Sequence, residues 1–216
     1  MTRIVYLHGF ASSPESKKAR FFKERFAGFG IEIQVPDLAG GDFEHLTITR
    51  QLNVIDRISE GGPVSLIGSS LGGYLAALYA ARHAEVERLV LMAPGFSFAT
   101  RWPETLGQER FEEWRRTGFL NVYHYGEGRD CRLSYELIED ARGYEDYPNF
   151  PQPGLIFQGR NDTVVPPGYS ITFAQQHPNV ALHLLDSDHE LLDVVDVIWA
   201  EVKRFFSTPV ETTGAA

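Results

Sequence analysis

Val64-Ser65-Leu66-Ile67-Gly68-Ser69-Ser70-Leu71-Gly72-Gly73 is the stretch on which the fold turns. Residues 64–67 read as a short buried strand, and residues 71–82 as a helix. Between them lies Gly68-x-Ser70-x-Gly72, directly after a strand and directly before a helix. That placement gives the pattern its chemical meaning. A serine on so sharp a strand-to-helix turn sits on strained backbone, and side chains two residues to either side would collide. Glycines at 68 and 72 remove the collisions, and the Ser70 hydroxyl is then presented at the sheet edge over a helix N-terminus. Ser69 is out of register for this role. A phosphate-cradling loop is disfavoured, because no Lys follows as in a Walker loop and the Gly-x-Gly-x-x-Gly spacing is missing.

Outward from this turn the chain alternates. Strands are expected at 3–7, 31–35, 64–67, 89–92, 155–157 and 180–185, and helices at 16–29, 47–58, 71–82, 167–175 and 191–206. Ser13 is the expected cap of the first helix, with Pro14 at its first position. Short apolar strands separated by helices of 10 to 15 residues build βαβ units. The prediction is an α/β fold: about six strands in a mostly parallel sheet, with helices on both faces. Residues 1–206 are expected to form one domain, and 207–216 a flexible tail.

Residues 96–153 break the alternation. They carry Trp102, Phe111, Trp114, Phe119, Tyr123, Tyr125, Tyr135, Tyr144, Tyr147 and Phe150 among dense charges. Helices are expected at 106–116 and 134–142, and a short strand at 119–125. An insertion of this size packs over the C-terminal edge of the strands, where ligands bind in such sheets. Most of its aromatics are expected to form a satellite core, with a subset lining a pocket. Arg101, Arg115 and Arg116 read first as solvated helix-face charges, and second as contacts for an anionic substrate such as a CoA phosphate.

A serine nucleophile needs a base, and the base an orienting acid. In this chain order the acid precedes the histidine. His189 lies just after the strand at 180–185, in a loop opening on the same edge as Ser70. His45 and His83 stand at or near helix ends, His177 before a proline, His183 inside a strand and His124 in the insertion. Asp162 follows the strand at 155–157 and can reach the far imidazole nitrogen. Asp186 and Asp188 are too close in sequence to His189 to orient its ring easily. His8-Gly9-Phe10 follows the first strand, so the backbone N–H groups of Phe10 and Leu71 are the candidate oxyanion-hole donors. His8 itself is expected to hold its loop.

Composition narrows the classes further. Of the 216 residues 43% are hydrophobic and 23% charged, with a formal net charge of -9, which disfavours nucleic-acid and anionic-membrane partners. Cys131 is the single cysteine, so neither an intrachain disulfide nor a multi-thiolate metal site can form. No signal peptide or membrane span is read, and a cytoplasmic location is expected. No cofactor or metal is expected.

Tyr6-Leu7-His8-Gly9-Phe10-Ala11-Ser12-Ser13-Pro14, Gly68-Ser69-Ser70-Leu71-Gly72-Gly73, Gly159-Arg160-Asn161-Asp162-Thr163-Val164-Val165 and Asp188-His189 together resemble the small bacterial YqiA-type esterases of the α/β-hydrolase superfamily. The resemblance covers roughly 1–95 and 153–206. It implies cleavage of short acyl esters, and of acyl-CoA thioesters, without a cofactor, by a triad matching Ser70, Asp162 and His189. A carbon–carbon bond hydrolase of the same fold, or a non-catalytic small-molecule binder, is the alternative.

Overall fold

The computed structural model describes residues 3–208. In chain order the elements are β1 (Arg3–Leu7), α1 (Lys17–Ala27), β2 (Ile33–Gln34), α2 (Ile48–Ser59), β3 (Val64–Ser69), α3 (Leu71–Ala80) and β4 (Val86–Met92). An insertion follows, with α4 (Phe98–Leu106), α5 (Gln108–Thr117), β5 (Phe119–His124), β6 (Arg129–Ser134) and α6 (Glu136–Ala141). The chain then returns through β7 (Gly154–Gly159), α7 (Gly168–Gln176), β8 (Val180–Leu185) and α8 (Val195–Ser207). Six strands pair in parallel in the order β2-β1-β3-β4-β7-β8. From β1 the chain adds β2 on one side and β3 on the other. The loops after β1 and β3 therefore diverge and leave a crevice at their C-terminal ends.

The alternation of side chains along each strand fills two apolar layers. Val5 and Leu7, Leu66, and Leu89 and Leu91 face one layer, with α2 and α3. Ile4 and Tyr6, Ile67, and Val90 and Met92 face the other, with α1 and α8. There Trp199 of α8 meets Phe22 and Phe26 of α1 edge-on, at 6.2 and 5.0 Å. All ten residues of α3 are buried, as expected of a helix apolar on every side.

The structure redraws several predicted elements. Ser16, not Ser13, caps α1, its hydroxyl accepting from Ala19 N–H. A turn from the Ser13 carbonyl to the Ser16 N–H uses up the Ser13–Pro14 segment first. β2 shrinks to two residues, and α8 starts at Val195 because Leu191 takes a positive φ of 55°. The helix expected at 106–116 is α5, which starts at Gln108 after Gly107, whose φ is 80°; the sequence reading left out α4 before it. The strand expected at 119–125 is paired antiparallel with β6, which the sequence reading left out. Phe111, Trp114, Tyr135 and Phe150 join the layer that holds α2 and α3 instead of forming a satellite core. Of the expected tail, Ser207 closes α8, and residues 209–216 lie outside the described residues.

The insertion does reach over the C-terminal edge. Tyr125 N–H donates to the Ala11 carbonyl in the loop after β1, at 2.7 Å. The Arg101 guanidinium donates to the Val164 carbonyl in the loop after β7, at 2.9 Å. Among the described residues no helix is long and apolar enough to cross a membrane.

Candidate active site

Ser70 sits between the last residue of β3 and the first of α3, at φ 53° and ψ -119°. Its backbone is held on both sides: its N–H donates to the Met92 carbonyl at 2.8 Å, and its carbonyl accepts from Gly95 N–H at 2.9 Å. The glycines around it are sterically required. A β-carbon at Gly68 would collide with the Gly72 carbonyl, and one at Gly72 with the carbonyls of Leu7 and His8. The serine turn is thus in backbone contact with the end of β1.

His189 comes from the loop between β8 and α8. Its Nε2 lies 3.0 Å from Ser70 Oγ, and its Nδ1 lies 2.8 Å from Asp162 Oδ2. An ionised carboxylate only accepts, so Nδ1 carries the proton and Nε2 is left to accept from the serine hydroxyl. The three residues expected to act together, 119 and 27 positions apart, form one hydrogen-bonded chain. Their loop is closed by the same device as the serine turn, since a β-carbon at Gly159 would collide with the carbonyls of Ser187 and Asp188.

Asp162 has no exposed side-chain surface. Burial alone would raise its pKa. The hydrogen bond and charge of His189, with the Val165 N–H and the Gln158 amide, outweigh burial and hold the carboxyl below its ordinary value. Its Oδ1 accepts from the N–H groups of Val164 and Val165 at 2.9 and 2.8 Å. Its Oδ2 takes a second donor, the Gln158 amide, at 2.8 Å. Sequence reasoning missed Gln158. Its signal was a lone amide ending the apolar run Leu155-Ile156-Phe157.

The loop after β1 borders the serine. A β-carbon at Gly9 would lie 3.4 Å from the Ser70 β-carbon, so Phe10 follows at the site itself. His8 is buried. Its Nε2 accepts from Leu38 N–H at 3.2 Å, which leaves Nδ1 to donate to the Gly9 carbonyl at 3.0 Å. Burial lowers its pKa, favouring this neutral form. Leu71 is the first residue of α3, and its N–H has no intrahelical acceptor. The Phe10 ring packs on Phe43, from the segment before α2, at 5.7 Å and edge-on against Trp102, from the insertion, at 5.6 Å, so an aromatic wall stands beside this loop.

Two cations lie near the acid without reaching it. Lys18 of α1 donates to the Glu190 carbonyl at 2.7 Å, and desolvation pushes its pKa down to about 8. Arg101 of α4 is spent on the Phe96 and Val164 carbonyls. Arg115 pairs with Glu112 at 3.4 Å on an exposed face of α5. Among the described residues no group of three or more His, Cys, Asp or Glu could hold a metal ion. Of the other histidines, His177 is buried against Phe173, His183 stacks on Phe157, and His45 and His83 pair with Asp42 and Glu85, while His124 packs edge-on against Phe43 at 4.6 Å and accepts from Glu127 N–H.

Comparison with known proteins agrees with this architecture. The mitochondrial palmitoyl-protein thioesterase ABHD10 of Bos taurus is 26% identical over 90% of this chain and 69% of its own length. The 2-hydroxymuconate semialdehyde hydrolase of Pseudomonas putida is 27% identical over 82% of this chain and 72% of its own. Among solved structures, the mouse α/β hydrolase domain-containing protein 10 superposes with a TM-score of 0.79 at 22% identity, covering 94% of this chain and 89% of that one. A monoacylglycerol lipase of Paleococcus ferrophilus gives 0.76 at 20% identity, covering 95% and 96%. The model of the uncharacterised protein family UPF0227 matches residues 3–207. The chain therefore belongs to that family, the YqiA-type group, and carries the α/β-hydrolase fold.

Proposed function

We propose that this protein is a serine hydrolase that cleaves carboxylic esters, acyl thioesters included, with Ser70 as nucleophile, His189 as base and Asp162 as orienting acid. The observation that carries the reading is the unbroken path from Ser70 Oγ through His189 to Asp162, at 3.0 and 2.8 Å. As the hydroxyl attacks the acyl carbon, its proton passes to His189 Nε2, and Asp162 stabilises the imidazolium. The N–H groups of Phe10 and Leu71 receive the oxyanion, each contributing about 2.7–4 kcal/mol to the transition state. His189 then protonates the leaving alcohol or thiol. In the second half it draws a proton from water, which attacks the acyl-enzyme and frees the acid.

The thioesterase name of the bovine relative supports the thioester arm. A carbon–carbon bond hydrolase reading uses the same three residues, and the Pseudomonas putida relative, named for a semialdehyde substrate, favours keeping it in the test. The aromatic wall beside Phe10 fits a small-molecule acyl group, with residues 1–206 acting as one unit. The lone thiol, Cys131, suits a reducing, cytoplasmic compartment.

The test is Ser70→Ala against p-nitrophenyl acetate. Turnover is expected to disappear with the circular dichroism spectrum unchanged, and an active variant would overturn the proposal. A fluorophosphonate probe should label the wild-type protein at Ser70; an unlabelled protein would point to a binder. A panel of oxyesters, thioesters and dienol ketones then separates the two hydrolase readings.

A further inference from the structure

Gln158 ends the apolar run of β7, and its side chain is completely buried. An amide in such a place is costly unless its hydrogen bonds are met. Here they are. Nε2 donates to Asp162 Oδ2 at 2.8 Å and to the Val165 carbonyl at 3.1 Å, while Oε1 accepts from the Ser170 hydroxyl of α7 at 2.8 Å. The amide has one workable orientation. Turned over, its oxygen would face a carboxylate and a carbonyl, two acceptors with no proton between them.

The two oxygens of Asp162 are held differently. Oδ1 takes the N–H groups of Val164 and Val165, the local turn that an Asp in such a loop makes by itself. Oδ2 is the oxygen that meets His189, and the local turn does not aim it. We propose that Gln158, tethered by Ser170, is a positioning residue that aims Asp162 Oδ2 at His189 Nδ1 and disperses the carboxylate charge so that Asp162 stays a hydrogen-bond acceptor. This rests on the serine-hydrolase reading above. Gln158 lies outside the site defined by the three residues and acts only through one of them.

The charges facing Asp162 are few. His189 touches it, and the fields of Arg101 from α4 and Lys18 from α1 reach it. Apart from His189 itself, neither cation donates to Oδ2: Arg101 is bonded to the Phe96 and Val164 carbonyls and Lys18 to that of Glu190. Without the Gln158 donor the carboxylate becomes more basic and holds the imidazolium form of His189 more tightly.

The experiment uses Gln158→Met, which keeps length and removes the donor, and Ser170→Ala, which leaves Gln158 in place but untethered. Both are assayed with p-nitrophenyl acetate between pH 5 and 9, and rates are divided by the serines titrated with a fluorophosphonate. Gln158→Met is expected to lose roughly ten- to a hundredfold in kcat per titrated site, the effect of one charge-assisted hydrogen bond. KM should be unchanged, and the acid limb of kcat/KM should move to higher pH. Ser170→Ala should shift both quantities in the same direction by less, and it decides the matter if Gln158→Met does not fold. A purely structural Gln158 would lower thermal stability while leaving kcat per site and the acid limb where they are; that result overturns the inference. Wild-type protein with neither turnover nor labelling overturns the hydrolase reading and this one with it. Wild-type turnover with unmoved variants overturns this one alone.

Discussion

Ser70 occupies backbone space that residues with a β-carbon avoid, at a cost of about 1–3 kcal/mol. Glycine at this position would release that strain, less about 0.5–1 kcal/mol for the freer unfolded chain. Ser70→Gly is therefore expected to be more stable than Ser70→Ala by about 1 kcal/mol, read from urea midpoints. Ser70, Asp162 and His189 could be read from the sequence because each is marked locally: a glycine-flanked serine, an acid after one strand, a histidine after the next. Gln158 could not. Its meaning depends on Ser170 on a later helix and on the way the loop at 160–167 folds back, and neither leaves a pattern in the residues around it. Arg101 illustrates the opposite failure: read first as a solvated helix-face charge and second as a ligand contact, it is bonded instead to main-chain carbonyls.

At the scale of elements, the interior strands and α3 were plain from apolar runs, while the insertion was only half legible. β6 alternates over 130–133, with Cys131 and Leu133 buried, but the charges of Arg129, Asp130 and Arg132 around them mask the period. Arg132 lies over the Phe119 ring of the partner strand at 4.0 Å, a contact that shows only once the hairpin is formed. Helix ends were also misplaced, because Ser13 and Ser16 both satisfy the pattern of a cap and only backbone geometry chooses between them. The end of α8 depends on a side chain from the sheet. Buried Arg88 of β4 donates to the Phe205 carbonyl and, at 3.1 Å, to that of Thr208. These are carbonyls of the last turn, which a cation satisfies well. Arg88→Met should cost about 1–3 kcal/mol and loosen the last turn. Thermal denaturation gives the first figure, and hydrogen exchange at 202–207 the second.

For the molecule as a whole, the carboxyls set the acid limit. Asp162, Glu145, Glu85 and Asp42 all have pKa values below their ordinary range. A carboxyl whose folded pKa is depressed contributes stability that is present above its unfolded value, about 4, and lost as pH falls through the folded value. The exposed Asp42 and Glu145 contribute little, because solvent screens them; buried Asp162 dominates. Buried His8, neutral in the fold, binds its proton more readily in the unfolded chain, so urea midpoints should begin to decline below about pH 7 and fall further below about pH 4; Asp162→Asn should shallow only the lower fall. The parallel sheet was legible from the alternation of strands and helices. The merging of the insertion with one apolar layer was not, since a run of aromatics announces burial without saying against what.

The glycine contacts at 68, 72 and 159 carry a consequence for how such a protein can change. They join the serine turn to the end of β1, and the strand that precedes Asp162 to the loop that delivers His189, through main-chain atoms that every substitution elsewhere leaves chemically the same. The spacing of the three residues is in this sense inherited from the backbone, whereas the lining contributed by 96–153 is made of side chains. Chains sharing only about a fifth of their residues with this one keep its fold. Diversification belongs in the insertion, and the glycines are what make it safe.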